Sequence, residues 1–177
     1  EGKVLRRIIE SGQIPNLIFY GPSGVGKTTV ARIIADRCGK KLFYLNATTA
    51  STSDIKSIIG ELGGIDTAGG VVLYLDEIQS FNKKQQQILL EYIETGEITL
   101  IASTTENPYY CVYNALLSRC TVFEFKSLKP SDIRQGIRHA LEKLSREGGP
   151  VEMEQEAEEY LAQSAGGDMR KALGSLE

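Results

Sequence analysis

The chain has 177 residues, of which 41% are hydrophobic, with a formal net charge of −3 and no apolar run approaching 18 residues. This composition suits one full domain, or a domain with a small appendage, and excludes a membrane-spanning helix. It also excludes an overall basic footprint for nucleic acid, so any contact with DNA requires a local patch or an oligomer.

The first part of the chain predicts a helix, a strand and a second helix. Apolar residues recur at the spacing of an amphipathic helix at Val4, Leu5, Ile8 and Ile9. The apolar run Leu17–Tyr20 predicts the first strand. Residues 28–37 predict a helix whose expected core residues are Val30, Ile33 and Ile34.

Between this strand and helix lies a glycine-rich loop with the spacing G-x-x-x-x-G-K-[ST], within the stretch NLIFYGPSGVGKTT. Glycines let the backbone approach a ligand closely, and N–H groups at a helix N-terminus attract anions. The lysine of this pattern reaches the β- and γ-phosphates of ATP, and the hydroxyl after it ligates Mg²⁺. The strand–loop–helix context favours this function over an ordinary glycine turn. The predicted nucleotide-binding residues are Gly21, Pro22, Ser23, Gly24, Val25, Gly26, Lys27, Thr28 and Thr29, with Thr28 also a metal ligand.

A second strand and a capped helix are predicted next. Lys41–Ala47 predicts the strand, and Ser53 is the predicted N-cap of the helix. The apolar residues of that helix are Ile55, Ile58, Ile59 and Leu62. Gly63-Gly64 and Gly69-Gly70 bracket a predicted loop.

The run Val71–Leu75 is continuously apolar and ends in Asp76 and Glu77. Such a run is typical of a central parallel strand, and ligands bind at the carboxyl ends of parallel strands. Asp76 is therefore predicted to hold Mg²⁺ through a water, and Glu77 is the predicted residue that orients and polarises the attacking water. The alternative is a pair of solvated carboxylates at a strand end.

Polar residues follow the next predicted strand, Thr99–Ser103, which comes after a predicted helix at Lys83–Glu94. Thr104 and Asn107 stand where a side chain can bond the γ-phosphate or the attacking water. The alternative for Asn107 is a turn, since Asn-Pro initiates turns.

The remaining residues predict one short helical turn at Asn114–Leu117, a fifth strand at Thr121–Phe125, and then helices alone. Ser131 is the candidate cap of the first of three C-terminal helices. We expect an α/β fold: a nucleotide-binding core with a parallel five-stranded sheet at residues 1–127, then a small all-helical lid at 128–177.

Two arginines stand at positions of interest. Arg119 precedes the fifth strand, where ring-forming ATPases place an arginine finger, and Arg170 opens the last helix. The alternatives are a surface arginine or intrachain salt bridge for Arg119, and a solvated helix residue for Arg170.

Taken together, these motifs resemble the AAA+ ATPases over nearly the whole chain. The segment DEIQSFNKKQQQILLEYIETGEITLIASTTENP resembles the RarA/MgsA subfamily (replication-associated recombination protein A) and its Werner-helicase-interacting relative. LLSRC at 116–120 and GGDMRKAL at 166–173 also resemble clamp-loader subunits.

The resemblance implies roles for these residues. The loop becomes Walker A, and Asp76 with Glu77 becomes Walker B. Thr104 becomes sensor 1 with Asn107 close by. Arg119 becomes the arginine finger, and the resemblance favours this role over the salt bridge. Further roles are sensor 2 for Arg170 and a polar switch of the catalytic glutamate for Asn46.

Two departures from the family pattern stand out. The loop has Ser23 and Val25 where the family usually has Pro and Thr, at positions that tolerate variation. The N-terminal adenine-packing segment and the C-terminal tetramer-forming domains fall outside this chain, so we expect a fragment that binds nucleotide weakly and stays monomeric.

The resemblance implies a DNA-dependent ATPase acting on single-stranded, gapped or forked DNA as a homotetramer. Implied partners are single-stranded-DNA-binding protein and the replisome. The alternatives are a clamp-loader ATPase subunit and a nucleotide-gated scaffold with little turnover. Three cysteines without metal spacing indicate reduced thiols, and we expect a cytoplasmic, nucleoid-associated protein.

Overall fold

A computed structural model of the protein describes residues 2–61, 70–149 and 151–176. The chain forms two compact units. The first takes in the described residues of 1–20 and 27–124, and the second takes in those of 21–26 and 125–177. The domain ranges predicted from the sequence, 1–127 and 128–177, stay a prediction.

The first unit is built on a five-stranded sheet whose strands all run parallel. The strands are β1 (Asn16–Tyr20), β2 (Lys41–Asn46), β3 (Val71–Asp76), β4 (Ile98–Thr104) and β5 (Cys120–Glu124). Their order across the sheet is β2-β3-β4-β1-β5. This confirms the predicted α/β core with a parallel five-stranded sheet.

The register of the sheet brings polar strand ends together. Asn46 at the end of β2 pairs with Asp76 at the end of β3, and Tyr20 of β1 pairs with Thr104 of β4. The interior strands β3 and β4 are almost wholly buried, whereas the edge strand β2 is partly exposed. Since ligands bind outside the carboxyl ends of parallel strands, this edge of the sheet positions the candidate site.

Helices precede and connect the strands, because parallel neighbours require crossover connections. In the first unit they are α1 (Gly2–Ser11), α2 (Lys27–Cys38), α3 (Thr52–Gly60), α4 (Lys83–Glu94), α5 (Pro108–Cys111) and α6 (Asn114–Leu117), with a 3₁₀ turn at Ile78–Ser80. The bounds of α4 and α6 agree with the prediction. The four residues of α5 are too few to show a period, and the sequence does not predict this helix.

The core of the first unit lies on the β3 and β4 side chains and the helices packed on them. Its fully buried members include Ile18, Ile55, Leu73, Leu75, Ile78, Leu89 and Leu100. The predicted core role of Ile33 is wrong, because the buried side of α2 runs through Ala31, Ile34 and Ala35 and leaves Ile33 46% exposed. Leu62 and the loop residues Gly63, Gly64 and Gly69 lie outside the described residues.

The described residues of the second unit form three helices, α7 (Pro130–Gly148), α8 (Gln155–Ser164) and α9 (Met169–Gly174). Its small core consists of Ile133, Ile137, Ala162, Ala165 and Ala172. No strand occurs among its described residues, in agreement with the predicted all-helical C-terminal part.

Two predicted helix caps are wrong. Ser51 rather than Ser53 caps α3, and its N–H donates to the Asp54 carboxylate at 2.7 Å. Lys129 caps α7 in place of Ser131, because Pro130 takes the first helical position, where its missing N–H costs nothing.

Candidate nucleotide and metal site

The phosphate loop has the backbone that its glycines allow. Gly21, Gly24 and Gly26 have φ of 143°, 69° and 95°. Residues other than glycine rarely adopt these angles. A Cβ on Gly21 would lie 2.0 Å from the Phe125 backbone oxygen. Glycine is therefore required at Gly21 for space as well as for conformation.

A second close approach involves the start of α9. A Cβ on Gly24 would lie 1.7 Å from Asp168 Oδ1, and the Gly24 carbonyl accepts a hydrogen bond of 3.0 Å from Met169 N. Asp168 itself caps α9 by accepting from Lys171 N at 3.1 Å. These contacts lie within the second unit and fix the middle of the loop.

The loop leads directly into α2, whose first residue is Lys27. Lys27 is buried and Thr28 is half-buried, while Pro22, Ser23 and Thr29 are exposed and Val25 is buried. The N–H groups of a first helical turn point along the helix axis and suit an anion such as a phosphate.

Thr28 and Asp76 are joined through one phenol. The Thr28 hydroxyl lies 3.0 Å from Tyr74 OH, and Tyr74 OH donates to Asp76 Oδ1 at 3.4 Å. Burial raises the pKa of Tyr74 to about 12, so this hydroxyl stays protonated at neutral pH. The structure thus brings together the two residues predicted to ligate the metal.

Asp76 receives two further hydroxyl donors. Tyr44 OH donates to Oδ2 at 3.0 Å, and Ser103 Oγ donates to Oδ1. A hydroxyl and a carboxylate are hard oxygen ligands, and Mg²⁺ is usually held by one or two carboxylates with waters and substrate phosphates. Thr28 and Asp76 therefore fit Mg²⁺. No group of three or more His, Cys, Asp or Glu able to hold a metal occurs among the described residues.

Glu77 has the left-handed backbone, with φ 56° and ψ 48°. It is the one residue other than glycine with positive φ in the described part of the chain. Such strain concentrates at active sites, where the surrounding structure maintains it. Gln79 Nε2 donates to Glu77 Oε2, and Gln79 Oε1 is buried without a hydrogen-bond partner.

Thr104 and Asn107 make local hydrogen bonds. Thr104 is fully buried, and its hydroxyl accepts from Glu106 N at 3.0 Å. Asn107 caps α5, with Oδ1 accepting from Tyr109 N at 3.0 Å. Asn107 thus has a local role as a helix cap, while the catalytic roles of both residues stay predictions.

Arg119 has a partner within its own chain. Its guanidinium lies 2.6 Å from Glu94 and donates to the Ala115 carbonyl at 2.8 Å. Both members of the pair are partly exposed, so the pair contributes little to stability. The intrachain pair of the alternative is present, and the arginine-finger role is not tested by it.

Arg170 and Asn46 are the two remaining predicted residues. Arg170 is exposed on α9. Asn46 Oδ1 accepts from the N–H and hydroxyl of Thr48, at 2.9 and 2.6 Å. The polar-switch role of Asn46 and the sensor role of Arg170 remain predictions.

Four residues of these hydrogen-bond networks were not predicted from the sequence: Tyr44, Tyr74, Ser103 and Gln79. Side chains alternate faces along a strand, so Tyr74 shares the face of Asp76 two residues later. Tyr44 stands in register with Tyr74 on the neighbouring strand. This period of two was the available signal, and Gln79 gave none because it lies in a turn.

Cys38, Cys111 and Cys120 are free, and burial raises the pKa of the Cys120 thiol to about 12. Such a thiol is a poor nucleophile. Within the described ranges, no helix combines the length and apolarity needed to cross a membrane.

Several known proteins are similar to this chain in sequence. Replication-associated recombination protein A of Haemophilus influenzae is 39% identical over all of this chain and 40% of its own length. ATPase WRNIP1 of Dictyostelium discoideum is 37% identical over 98% of this chain and 20% of its own length. The chain thus spans less than half of these relatives, and their names confirm the predicted subfamily resemblance.

A solved structure and a family model agree with these relatives. The RuvB Holliday junction branch migration motor of Thermotoga maritima matches with a TM-score of 0.80 and 25% identity, over 97% of this chain and 58% of that one. The model of the ATPase family associated with various cellular activities (AAA) matches residues 17–128. Since this match covers more than half of the chain, the chain belongs to the AAA family of ATPases.

Proposed function

We propose that this chain is the ATPase core of a protein that maintains replication forks and supports recombination. It hydrolyses ATP with Mg²⁺ at the subunit interfaces of a homo-oligomer that acts on single-strand-gapped DNA or stalled forks. The names of the replication-associated relatives and of the RuvB motor support the process. The AAA family supports the reaction.

The observation that carries the proposal is the arrangement at the end of β3. Asp76 is joined to Thr28 through Tyr74, and the next residue, Glu77, has the strained backbone. Thr28 and Asp76 hold Mg²⁺, which neutralises charge on the nucleotide phosphates when bound. Lys27 pairs with those phosphates, and Glu77 accepts a hydrogen bond from the attacking water and orients it.

We assign roles to five further residues, of which Arg119 acts on a neighbouring subunit. Arg119 leaves Glu94 in the oligomer and stabilises the γ-phosphate of a neighbouring subunit. Thr104 and Asn107 form hydrogen bonds with the γ-phosphate or with the attacking water. Arg170 contributes a cation from α9, and Asn46 acts as the switch of Glu77.

The proposal extends to partners and location, in line with the replication-associated relatives. We assign single-stranded-DNA-binding protein and replisome components as partners, a homotetramer as the full-length assembly, and the cytoplasmic nucleoid as the location. Net charge of −3 requires that DNA contact arise from a local surface of the oligomer rather than from the chain as a whole.

Substitution of Glu77 tests the catalytic assignment. Glu77→Gln keeps the side-chain shape and removes the carboxylate that orients water, so turnover falls about 100-fold or more, while ATP affinity stays within about twofold. Steady-state phosphate release and equilibrium binding of a fluorescent ATP analogue by the full-length protein measure both. Glu91→Gln, exposed on α4, is the matched control. Unchanged turnover in Glu77→Gln would remove Glu77 from the reaction.

Assembly separates the proposal from its two alternatives. Light scattering of the full-length protein gives a tetramer under the proposal, whereas a pentamer that binds a sliding clamp would identify a clamp-loader subunit. A wild-type protein that binds ATP but releases no phosphate would identify the nucleotide-gated scaffold.

A further inference from the structure

Two tyrosines of neighbouring strands lie against the carboxylate at the end of β3. The rings of Tyr44 and Tyr74 stack with centroids 5.5 Å apart and an interplanar angle of 29°. Tyr74 is 1% exposed, whereas Tyr44 on the edge strand is 53% exposed. The buried ring fixes the position of the outer ring, and both hydroxyls reach the same carboxylate.

The hydroxyls of this pair have complementary tasks. Tyr44 OH donates to Asp76 Oδ2, and Tyr74 OH donates to Asp76 Oδ1. One donor on each oxygen fixes the rotation of the carboxylate about its bond to Cβ. Ser103 Oγ adds a second donor on Oδ1.

Tyr74 also determines where the Thr28 proton goes. A phenol has one proton. When Tyr74 donates it to Asp76, the Thr28 hydroxyl is the donor in the contact of 3.0 Å and the Tyr74 oxygen is the acceptor. A threonine hydroxyl that donates its proton to a neighbour turns its remaining lone pairs elsewhere. Those lone pairs are what a hard cation binds.

Resting on the proposed function, we infer that Tyr44 and Tyr74 are positioning residues for Mg²⁺. Tyr74 orients the Thr28 hydroxyl and the Asp76 carboxylate as a matched pair of oxygen ligands, and Tyr44 fixes the second carboxylate oxygen. Outer-shell hydrogen bonds of this kind orient metal ligands, and their loss typically lowers metal affinity.

The test measures nucleotide affinity with and without Mg²⁺ in the full-length protein. Tyr74→Phe and Tyr44→Phe retain the stacked rings and remove only the hydroxyls. We expect Tyr74→Phe to weaken Mg²⁺-assisted binding of a fluorescent ATP analogue about 10-fold, and Tyr44→Phe about threefold, because its bond is more exposed. Affinity in EDTA stays at the wild-type value for both. Tyr110→Phe, at a position 90% exposed, is the matched control and leaves both affinities unchanged.

Three results would overturn the inference. Equal losses in EDTA and in Mg²⁺ would show that the hydroxyls act only on folding of the first unit. Tighter Mg²⁺-assisted binding in Tyr74→Phe would show that the phenol competes with the cation. Unchanged Mg²⁺ dependence, or a wild-type affinity that ignores Mg²⁺, would show that the phenols position no metal ligand.

Failure of the inference and failure of the proposed function give different results. A wild-type protein that binds Mg²⁺ and nucleotide without releasing phosphate contradicts the proposed ATPase, yet its binding still reports on Tyr74. Normal turnover with unchanged Mg²⁺ dependence in Tyr74→Phe contradicts the inference alone.

Discussion

At the scale of single residues, the phosphate loop depends on the absence of side chains. Gly24 combines positive φ with the Asp168 carboxylate against its α-carbon. Asp168 is not free to move away, because its carboxylate caps α9. A methyl group at this position therefore both strains the backbone and displaces the Asp168 cap of α9.

Gly24→Ala and Gly12→Ala separate these two costs. Gly12 has nearly the same φ, 68° against 69°, but open space around its α-carbon. Gly12→Ala is expected to lower the free energy of unfolding by about 1 kcal/mol. Gly24→Ala is expected to cost about 1 kcal/mol more through loss of the cap. Chemical denaturation measures both, and equal costs would contradict a firm contact between Gly24 and Asp168.

At the scale of elements, α7 and α8 are joined by a buried carboxylate. Glu158 is 6% exposed and lies 2.9 Å from both Arg134 and Arg138. A hydrogen bond from Arg134, and a smaller contribution from the Arg138 hydrogen bond, lower the pKa of Glu158. A lowered folded-state pKa gives stability that is present above the unfolded-state pKa and is lost as pH falls through the folded-state value.

Glu158→Gln tests this charge link. The difference in unfolding free energy between wild type and Glu158→Gln should stay constant from pH 7 to about pH 5 and shrink below about pH 4. Denaturation curves at several pH values measure it, with Glu156→Gln, exposed on α8, as the control. A difference that persists unchanged to pH 3 would show that the carboxylate charge is not what stabilises α8.

The sequence predicts elements better than it predicts their ends and contacts. The bounds of α4 follow from its apolar period, and β3 follows from a continuous apolar run. The caps at Ser51 and Lys129 depend on which of several polar residues reaches back to the helix, which spacing alone does not decide. Ile33 shows the same limit, because two helix faces carry isoleucines and packing selects one.

At the scale of the whole molecule, the motifs predict the catalytic residues but not the hydrogen bonds and ion pairs that hold them in place. G-x-x-x-x-G-K-[ST] and the Asp-Glu pair each lie within a short stretch of sequence, so the sequence alone identifies them. The bonds from Tyr44, Tyr74 and Ser103 to Asp76 join three strands, so they depend on the register of the sheet. The partner of Arg119, Glu94, lies 25 positions away and has no sequence signature.

Arg119 decides whether the active site is shared between subunits. Its pair with Glu94 accounts for a role within the chain, whereas the proposed function requires it to act on a neighbour. Glu94→Gln removes the intrachain pair and keeps the arginine. If Arg119 acts only through that pair, Arg119→Ala and Glu94→Gln lower ATP hydrolysis equally.

The most direct measurement is steady-state ATP hydrolysis by the full-length protein, with and without gapped or forked DNA, in wild type, Arg119→Ala and Glu94→Gln. We predict stimulation by DNA in wild type, a loss of about 1,000-fold or more in Arg119→Ala, and retained turnover in Glu94→Gln. Turnover that ignores DNA and survives Arg119→Ala would contradict both the shared active site and the role at replication forks.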